Sequence, residues 1–458
     1  MSLRGKRIGT VLSMTSLVSK NAQPGTFAAG EKFIDWLAKS KQNAWQVLPL
    51  HQTQLEKGSA IKHIPSPYKG YGIGLNPRFL SNDAPQPSPE QLAEFIKNNN
   101  YWLEDYVLFC ALRDQFGTDS WNQWPADIRK RNKNSIKKWQ KKLASQINAH
   151  IKTQAQLHLS YKQLQKKAAS KEVMLIGDLP LYLSLNSSLV WQFQNLFDIS
   201  KDGKMQRTSG VPIGPKSHFG RQIWGHPLYK WQERNLIPKI EKLFEIRLKY
   251  LAQLFDWVRI DHAKGLFTYA AMDLTTRNAD QYLPGPGKKF LEKIINFAHQ
   301  QKLNIYAEDT GDKLKDLREC LQSHQIPGIK IFIYAYNEKK KRFVDQYLEV
   351  DQYQPNNFAY TTTHDTETLM GYLQQLSATE INALIKKLNI NKTDNLKLLA
   401  KQIKDKIINS PAKIALITLQ DWLYTTERIN IPGTEKEIDD PNWRYQMITP
   451  IEDLPTNL

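Results

Sequence analysis

The sequence predicts an α/β protein of the (β/α)8 class, a TIM barrel with helical insertions. Strand-like apolar runs alternate with amphipathic helical segments along nearly the whole chain, the pattern of a parallel sheet with helical crossovers. Three runs, VRIDH (258–262), YAEDTG (306–311) and YTTTHDT (360–366), turn acidic where they end. In such a barrel the catalytic groups sit at the C-terminal ends of several strands, so Asp261, Glu308 and Asp365 are expected to converge on one pocket.

Eight strand-like runs give the barrel its count. In order they are IGTVLSM (8–14), AWQVLPL (44–50), VMLIGDLP (173–180), FDWVRID (255–261), LNIYAED (303–309), IKIFIYAY (329–336), NFAYTTT (357–363) and KIALITLQD (413–421). Helical periodicity falls between them at 31–38, 240–254 and 287–298. Two stretches break simple alternation. Residues 80–170, rich in Gln, Lys, Trp and Leu, read as a mostly helical insertion subdomain, entered through the Pro-rich hinge at 84–89. Residues 377–410 read as a smaller helical insertion. The whole of 1–458 is then expected to be one catalytic barrel. The opening MSLRGKRIGTVLSMTSLVS mimics a signal peptide, but Ser and Thr interrupt its apolar stretch. IGTVLSM is read instead as the first strand, and the expected compartment is the cytoplasm.

Composition excludes several classes. Hydrophobic content of 41% is that of a folded chain rather than a disordered one. The net charge of +18 invites a nucleic-acid or membrane reading, yet the lysines are scattered on helical stretches and no nucleic-acid motif accompanies them. A solvated basic surface is expected, with no nucleic-acid or membrane partner. Twelve Trp could serve a sugar site or a core, and composition favours the core. Cys110 and Cys320 are too few and too far apart for a disulfide framework or a metal site. No metal and no cofactor is expected.

Arg259 precedes Asp261 by two, so on a strand both side chains point to one face. A cation beside the carboxylate favours its ionised form, which suits a nucleophile. A buried ion pair that merely holds the barrel together fits this pair equally well. Glu308 and Asp309 are adjacent and point to opposite faces, so one enters the pocket. A desolvated Glu308 with an anionic neighbour is expected to have a raised pKa, as a general acid needs. Asp309 suits a helix N-cap. His364 with Asp365 could signal a metal or a Ser–His–Asp triad, but neither HExxH nor GxSxG occurs. Two carboxylates flanking a bond, with a third nearby, is the apparatus of glycoside chemistry.

An ordered set of strings makes the reading sharper. AWQVLPL, SPYKGYGIGLNPRFL (66–80), DYVLFCALRDQFG, GDLPLYLSLNSSLVW (177–191), GVP (210–212), QIWGHPLYKW (222–231), VRIDH, YAED, PGIKIF, TTTHDTET and ERINIPGT (427–434) follow one another. In this the chain resembles the 4-α-glucanotransferases, the amylomaltase or disproportionating enzymes related to the α-amylases. The resemblance implies Asp261 as nucleophile, Glu308 as acid/base and Asp365, with His364, as transition-state stabiliser. It implies that Arg259 supports the nucleophile and that Arg259, His262 and His364 are among the substrate-binding residues. Tyr68, Asp178, Gln222, Trp224 and Asn430 match positions lining the sugar subsites, although Asp178 could also cap a helix.

The implied activity is retaining transfer of α-1,4-glucan segments between malto-oligosaccharides or starch- and glycogen-like glucans, through a covalent glucosyl-enzyme. The alternatives are an α-1,4-glucan hydrolase on the same site and a non-catalytic glucan-binding protein. Departures from the family pattern fall on loops. Ala263 and Lys264 stand where a Phe and an Arg are usual, and the lid reads GVPIGPK (210–216) without its Asp. His51, Gln52 and Thr53 replace Gly-Pro-Thr, and an early turn reads GTFAAG (25–30). They bear on acceptor handling and chain length, and oligomeric state is left open.

Overall fold

The computed structural model describes residues 5–212, 220–276, 279–337, 341–436 and 438–457. Eight parallel strands form its centre: β1 (Arg7–Val11), β2 (Ala44–Gln46), β3 (Met174–Leu179), β4 (Trp257–Ile260), β5 (Asn304–Ala307), β6 (Gly328–Ile331), β7 (Asn357–Tyr360) and β8 (Ile414–Thr418). Their order around the sheet is β5-β4-β3-β2-β1-β8-β7-β6, so every sequence neighbour is a spatial neighbour. At the one seam, the backbone N–H of Ala307 donates to Pro327 O at 2.9 Å. The fold is the (β/α)8 barrel.

Each expected run overlaps one barrel strand, but the strands are shorter than the runs. The clearest shortening is in 329–336, where β6 stops at Ile331 and Phe332–Ala335 forms a 3-10 turn. A barrel is only a few residues tall, so the remaining apolar residues turn onto its rim. The helix Phe27–Lys39 begins at Thr26, whose hydroxyl accepts from Ala29 N–H. The GTFAAG departure thus supplies a helix cap.

The barrel interior is filled rather than open. Tyr306 stacks on Phe358 with centroids 3.7 Å apart. The Tyr306 and Tyr360 hydroxyls lie 2.9 Å apart, and Tyr360 donates to Gln46 Oε1 at 2.9 Å. Every buried polar tip in this stack therefore has a partner.

Between β2 and β3 lie the long helices Pro89–Phe116 and Ala144–Ser170 and the shorter Ala126–Arg129 and Lys133–Lys142. A capping box at Ser88 and Gln91 starts the first, and Gly117, at φ 66°, ends it. Trp102, Trp121, Trp124 and Trp191 are buried among these helices and their neighbours, which is where much of the Trp content goes. Between β7 and β8, Ala378–Leu388 and Leu396–Ile408 are helices, and the second packs Leu399, Ile403 and Ile407 inward. Both cysteines are buried and free. Among the described residues no helix is long and apolar enough to cross a membrane.

Candidate active site

One arginine organises the mouth of the barrel. Arg259, on β4, is 4% exposed and Asp178, on β3, is 1% exposed. Its Nε and Nη2 reach the two Asp178 oxygens at 3.1 and 2.7 Å. Nη2 also donates to Asp261 Oδ1 at 2.8 Å, and Nη1 to Glu308 Oε2 at 3.3 Å. The two-residue spacing of Arg259 and Asp261 therefore does put both on one face, and the guanidinium bridges Asp261 and Glu308. Asp178 is a strand residue in this ion pair and caps no helix.

Glu308 is held at both oxygens. His262 donates its backbone N–H to Oε2 at 2.9 Å and Thr310 its hydroxyl to Oε1 at 3.1 Å. His262 sits at φ 47°, an unusual backbone state for a residue with a Cβ, and in this state its N–H reaches the carboxylate. Asp309 turns the other way. It takes Arg318 Nε at 2.8 Å and the Ile329 N–H at 2.8 Å. The expected N-cap role is not what it does, because the next helix begins six residues later with Leu314 in the cap position.

A second group faces these acids. Tyr68 donates its hydroxyl to Asp178 Oδ2 at 2.5 Å and accepts Arg259 Nη2–H at 2.8 Å. Its remaining lone pair meets His364 Nε2 at 3.0 Å, so Nε2 is the protonated ring nitrogen. The same Nε2 lies 3.1 Å from Asp365 Oδ2, and Asn430 donates Nδ2–H to Asp365 Oδ1 at 2.7 Å. Trp224 closes the Glu308 side. Its ring meets His262 edge-on at 4.9 Å and its Nε1–H donates to Gln222 Oε1 at 2.9 Å. All eleven candidate site residues thus belong to one connected network.

The electrostatics differ from expectation at two positions. Burial pushes the Asp261 carboxyl well above its ordinary range, and Asp178, Glu308 and Asp365 add to this against the pull of Arg259. At Glu308 burial also pushes up, but Arg259 and the His262 N–H outweigh it and the net direction is down. The expected order, an ionised Asp261 and a raised Glu308, is therefore reversed in this structure. One guanidinium shared by three carboxylates cannot neutralise all of them, and Glu308 has the extra N–H. Asp365 is opposed by burial, yet His364, Asn430 and Arg259 hold it down at about 2.

Residues the sequence did not single out complete the mouth. Trp443 packs against both Tyr68 and His364 at 5.4 Å. Arg428 ties Asp365 O and Asn430 O together at 3.4 and 3.1 Å. Tyr334, on the 3-10 turn after β6, is exposed and meets Tyr347 edge-on at 5.7 Å. Only Arg428 had a signal, its place in ERINIPGT. Among the departures, His51 Nε2 lies 2.8 Å from Pro67 O, Ala263 is buried and Lys264 pairs with Asp312 at 2.5 Å. The lid GVPIGPK lies outside the described residues from position 213 on. Among the described residues, no three or more His, Cys, Asp or Glu side chains are grouped to hold a metal ion.

Comparison with known proteins gives a consistent picture. The family model described as Glyco_hydro_77, 4-alpha-glucanotransferase, matches residues 12–86 and 78–450. The chain is 26% identical over 485 residues to the 4-alpha-glucanotransferase of Aquifex aeolicus (strain VF5), covering 96% of this chain and 95% of that one. It is 26% identical over 511 residues to the chloroplastic/amyloplastic 4-alpha-glucanotransferase of Solanum tuberosum, covering 98% and 84%. Among solved structures, the amylomaltase from Streptococcus agalactiae in complex with acarbose superposes with a TM-score of 0.81 at 23% identity, covering 96% of this chain and 95% of that one. The amylomaltase from Corynebacterium glutamicum gives 0.72 at 14%, covering 98% and 73%. These two likenesses are of fold.

Proposed function

The chain belongs to the 4-alpha-glucanotransferase family, and on that premise we propose how its residues divide the reaction. It is an enzyme that transfers α-1,4-glucan segments. The observation that carries our assignment is the single Arg259 guanidinium between Asp261 and Glu308.

Asp261 attacks the anomeric carbon while Glu308 gives its proton to the leaving sugar oxygen. The glycosidic bond breaks, a glycosyl–Asp261 ester forms and the shortened glucan departs. The 4-hydroxyl of an acceptor then attacks that carbon, Glu308 takes the hydroxyl proton, and Asp261 is released. The carboxylates titrate as a group. Burial favours the neutral form of Asp261, while Arg259 and the His262 N–H favour the ionised form of Glu308. Before attack the scheme needs the opposite arrangement, an ionised Asp261 and a protonated Glu308.

Asp178, Tyr68 and Arg259 hold the two acids in place. His364 and Asp365 grip ring hydroxyls, and Asn430 fixes Asp365. Gln222, Trp224 and His262 line the acceptor side, where sugar rather than water must reach the ester. We take 1–458 as one catalytic unit in which 80–170 and 377–410 are helical additions. Two reduced, buried cysteines support a cytoplasmic setting, and the positive charge is a solvated surface. No cofactor enters the scheme.

Product analysis on maltotriose tests the reading. Two maltotriose molecules should give glucose and maltopentaose, then longer chains, with little rise in total reducing ends. A steady rise with no chain longer than the starting sugar would mean that the enzyme is a hydrolase.

A further inference from the structure

The departure at Lys264 leads to a group of residues beyond the catalytic network. Lys264 follows His262 by two on the turn after β4, and its ammonium meets Asp312 Oδ1 at 2.5 Å. Asp312 belongs to the same short loop that supports Glu308 through Thr310. Gly311, at φ 101°, gives that loop the left-handed turn that a side chain would resist. The Lys264 ammonium also lies over the ring of Tyr282, 5.4 Å from its centroid.

Tyr282 stands on a strand of its own, Gln281–Pro284, paired antiparallel with Thr268–Asp273. Its hairpin partner is Ala270, too small to cover it, and the tyrosine is 48% exposed. A large ring on a paired strand, half open to water and faced by a partly buried cation, leaves a surface that a ligand can cover. The ring presents an apolar face for C–H bonds, and the Lys264–Asp312 pair beside it offers donors and acceptors for hydroxyls. That combination fits a glucose unit.

The location gives its role. Tyr68, His364, Asp365, Asn430 and Trp443 cluster on one side of Arg259. His262, Trp224, Lys264 and Tyr282 extend from the Glu308 side. Glu308 protonates the leaving oxygen in the scheme above, so its side holds the leaving sugar and afterwards the acceptor.

We propose that Tyr282, with the Lys264–Asp312 pair, forms an outer acceptor subsite that binds a glucose unit of the incoming glucan beyond the one at the reacting bond. The inference rests on the proposed transfer reaction for its direction. Short acceptors would not reach the ring, and longer ones would gain from it.

The test has two arms. In the first, Tyr282→Ala and Tyr282→Phe are compared with wild type using a fixed donor and glucose, maltose or maltotriose as acceptor. Tyr282→Ala should raise the acceptor KM for maltotriose about tenfold, the effect of losing one aromatic platform. It should leave the KM for glucose unchanged, and Tyr282→Phe should behave as wild type. In the second arm, maltoheptaose binding is measured calorimetrically on Asp261→Asn protein with and without Tyr282→Ala. A loss of affinity of similar size is expected. This arm reads the subsite even if wild type proves to hydrolyse rather than transfer, so the two readings fail separately. An unchanged maltotriose KM together with unchanged maltoheptaose affinity would overturn the proposal. So would an equal change for glucose and maltotriose, which would mean general loosening of the loop.

Discussion

Arg259 holds Asp178 through both carboxylate oxygens, with Nε at 3.1 Å from Oδ1 and Nη2 at 2.7 Å from Oδ2. In the proposed scheme neither residue performs the bond exchange, and the pair places Asp261 and Glu308 through the guanidinium. Asp178→Asn should lower the thermal unfolding midpoint by less than the loss of an isolated buried ion pair, because Asp261 and Glu308 still face Arg259. Its kcat should fall more steeply than that of Tyr68→Phe, which removes only one hydroxyl from the same cluster. Equal kcat in the two variants would show that Asp178 does not orient the guanidinium.

Exchange of the two acids should separate their roles. Asp261→Asn should form no covalent intermediate while keeping its fold. Glu308→Gln should still form one from a glucosyl fluoride, whose leaving group needs no proton. Trapping followed by mass spectrometry reads both. A crystal structure with a bound inhibitor should place the carboxyl groups about 5–5.5 Å apart, the retaining separation.

Asn430 donates to Asp365 at 2.7 Å, and a hydrogen bond to a charged group is worth about 1.5–3 kcal/mol. Asn430→Ala should therefore lower kcat about tenfold or more with a smaller change in KM. A pure KM effect would place Asn430 in substrate binding alone.

Burial pushes His51, His158, His226 and His262 down to about 4, whereas an unfolded histidine titrates near about 6.5. Between those values the unfolded chain binds more protons. Stability is full above about 6.5 and falls as pH drops toward about 4. Asp119, raised by burial to about 6, and Asp261, raised well above its ordinary range, work in the opposite sense and offset part of the histidine effect. The thermal midpoint should fall through this window. It should fall less in His158→Phe, which keeps the ring against Phe95, Trp102 and Tyr250. An identical slope would exclude His158 as a contributor.

The barrel was legible because its strands are short apolar runs with β-branched and aromatic residues, each closed by polar residues at the rim. Where the apolar run continued past the rim, as in Phe332–Ala335, periodicity could not separate strand from turn. Arg259 and Asp261 could be placed on one face from their spacing. That Asp178 would meet them could not, because 81 positions separate it from Arg259. The proton preference of Asp261 was also out of reach, since it depends on how many carboxylates share one cation. Trp443 joined the site through a chain return that no local pattern records.

The pairing of β1 with β8 has a consequence for synthesis. Arg7 aligns with Ile414 and Val11 with Thr418. Met447 N–H and Ile451 N–H then bond back to Ser16 O and Val18 O at 2.9 Å each. During translation about 400 residues separate the first strand from its partner on one side. Until then β1 is an uncovered sheet edge, open to mispairing and aggregation. A ribosome paused before β8 should hold a protease-sensitive nascent chain, and synthesis through β8 and Ile451 should convert it to a resistant one in a single step.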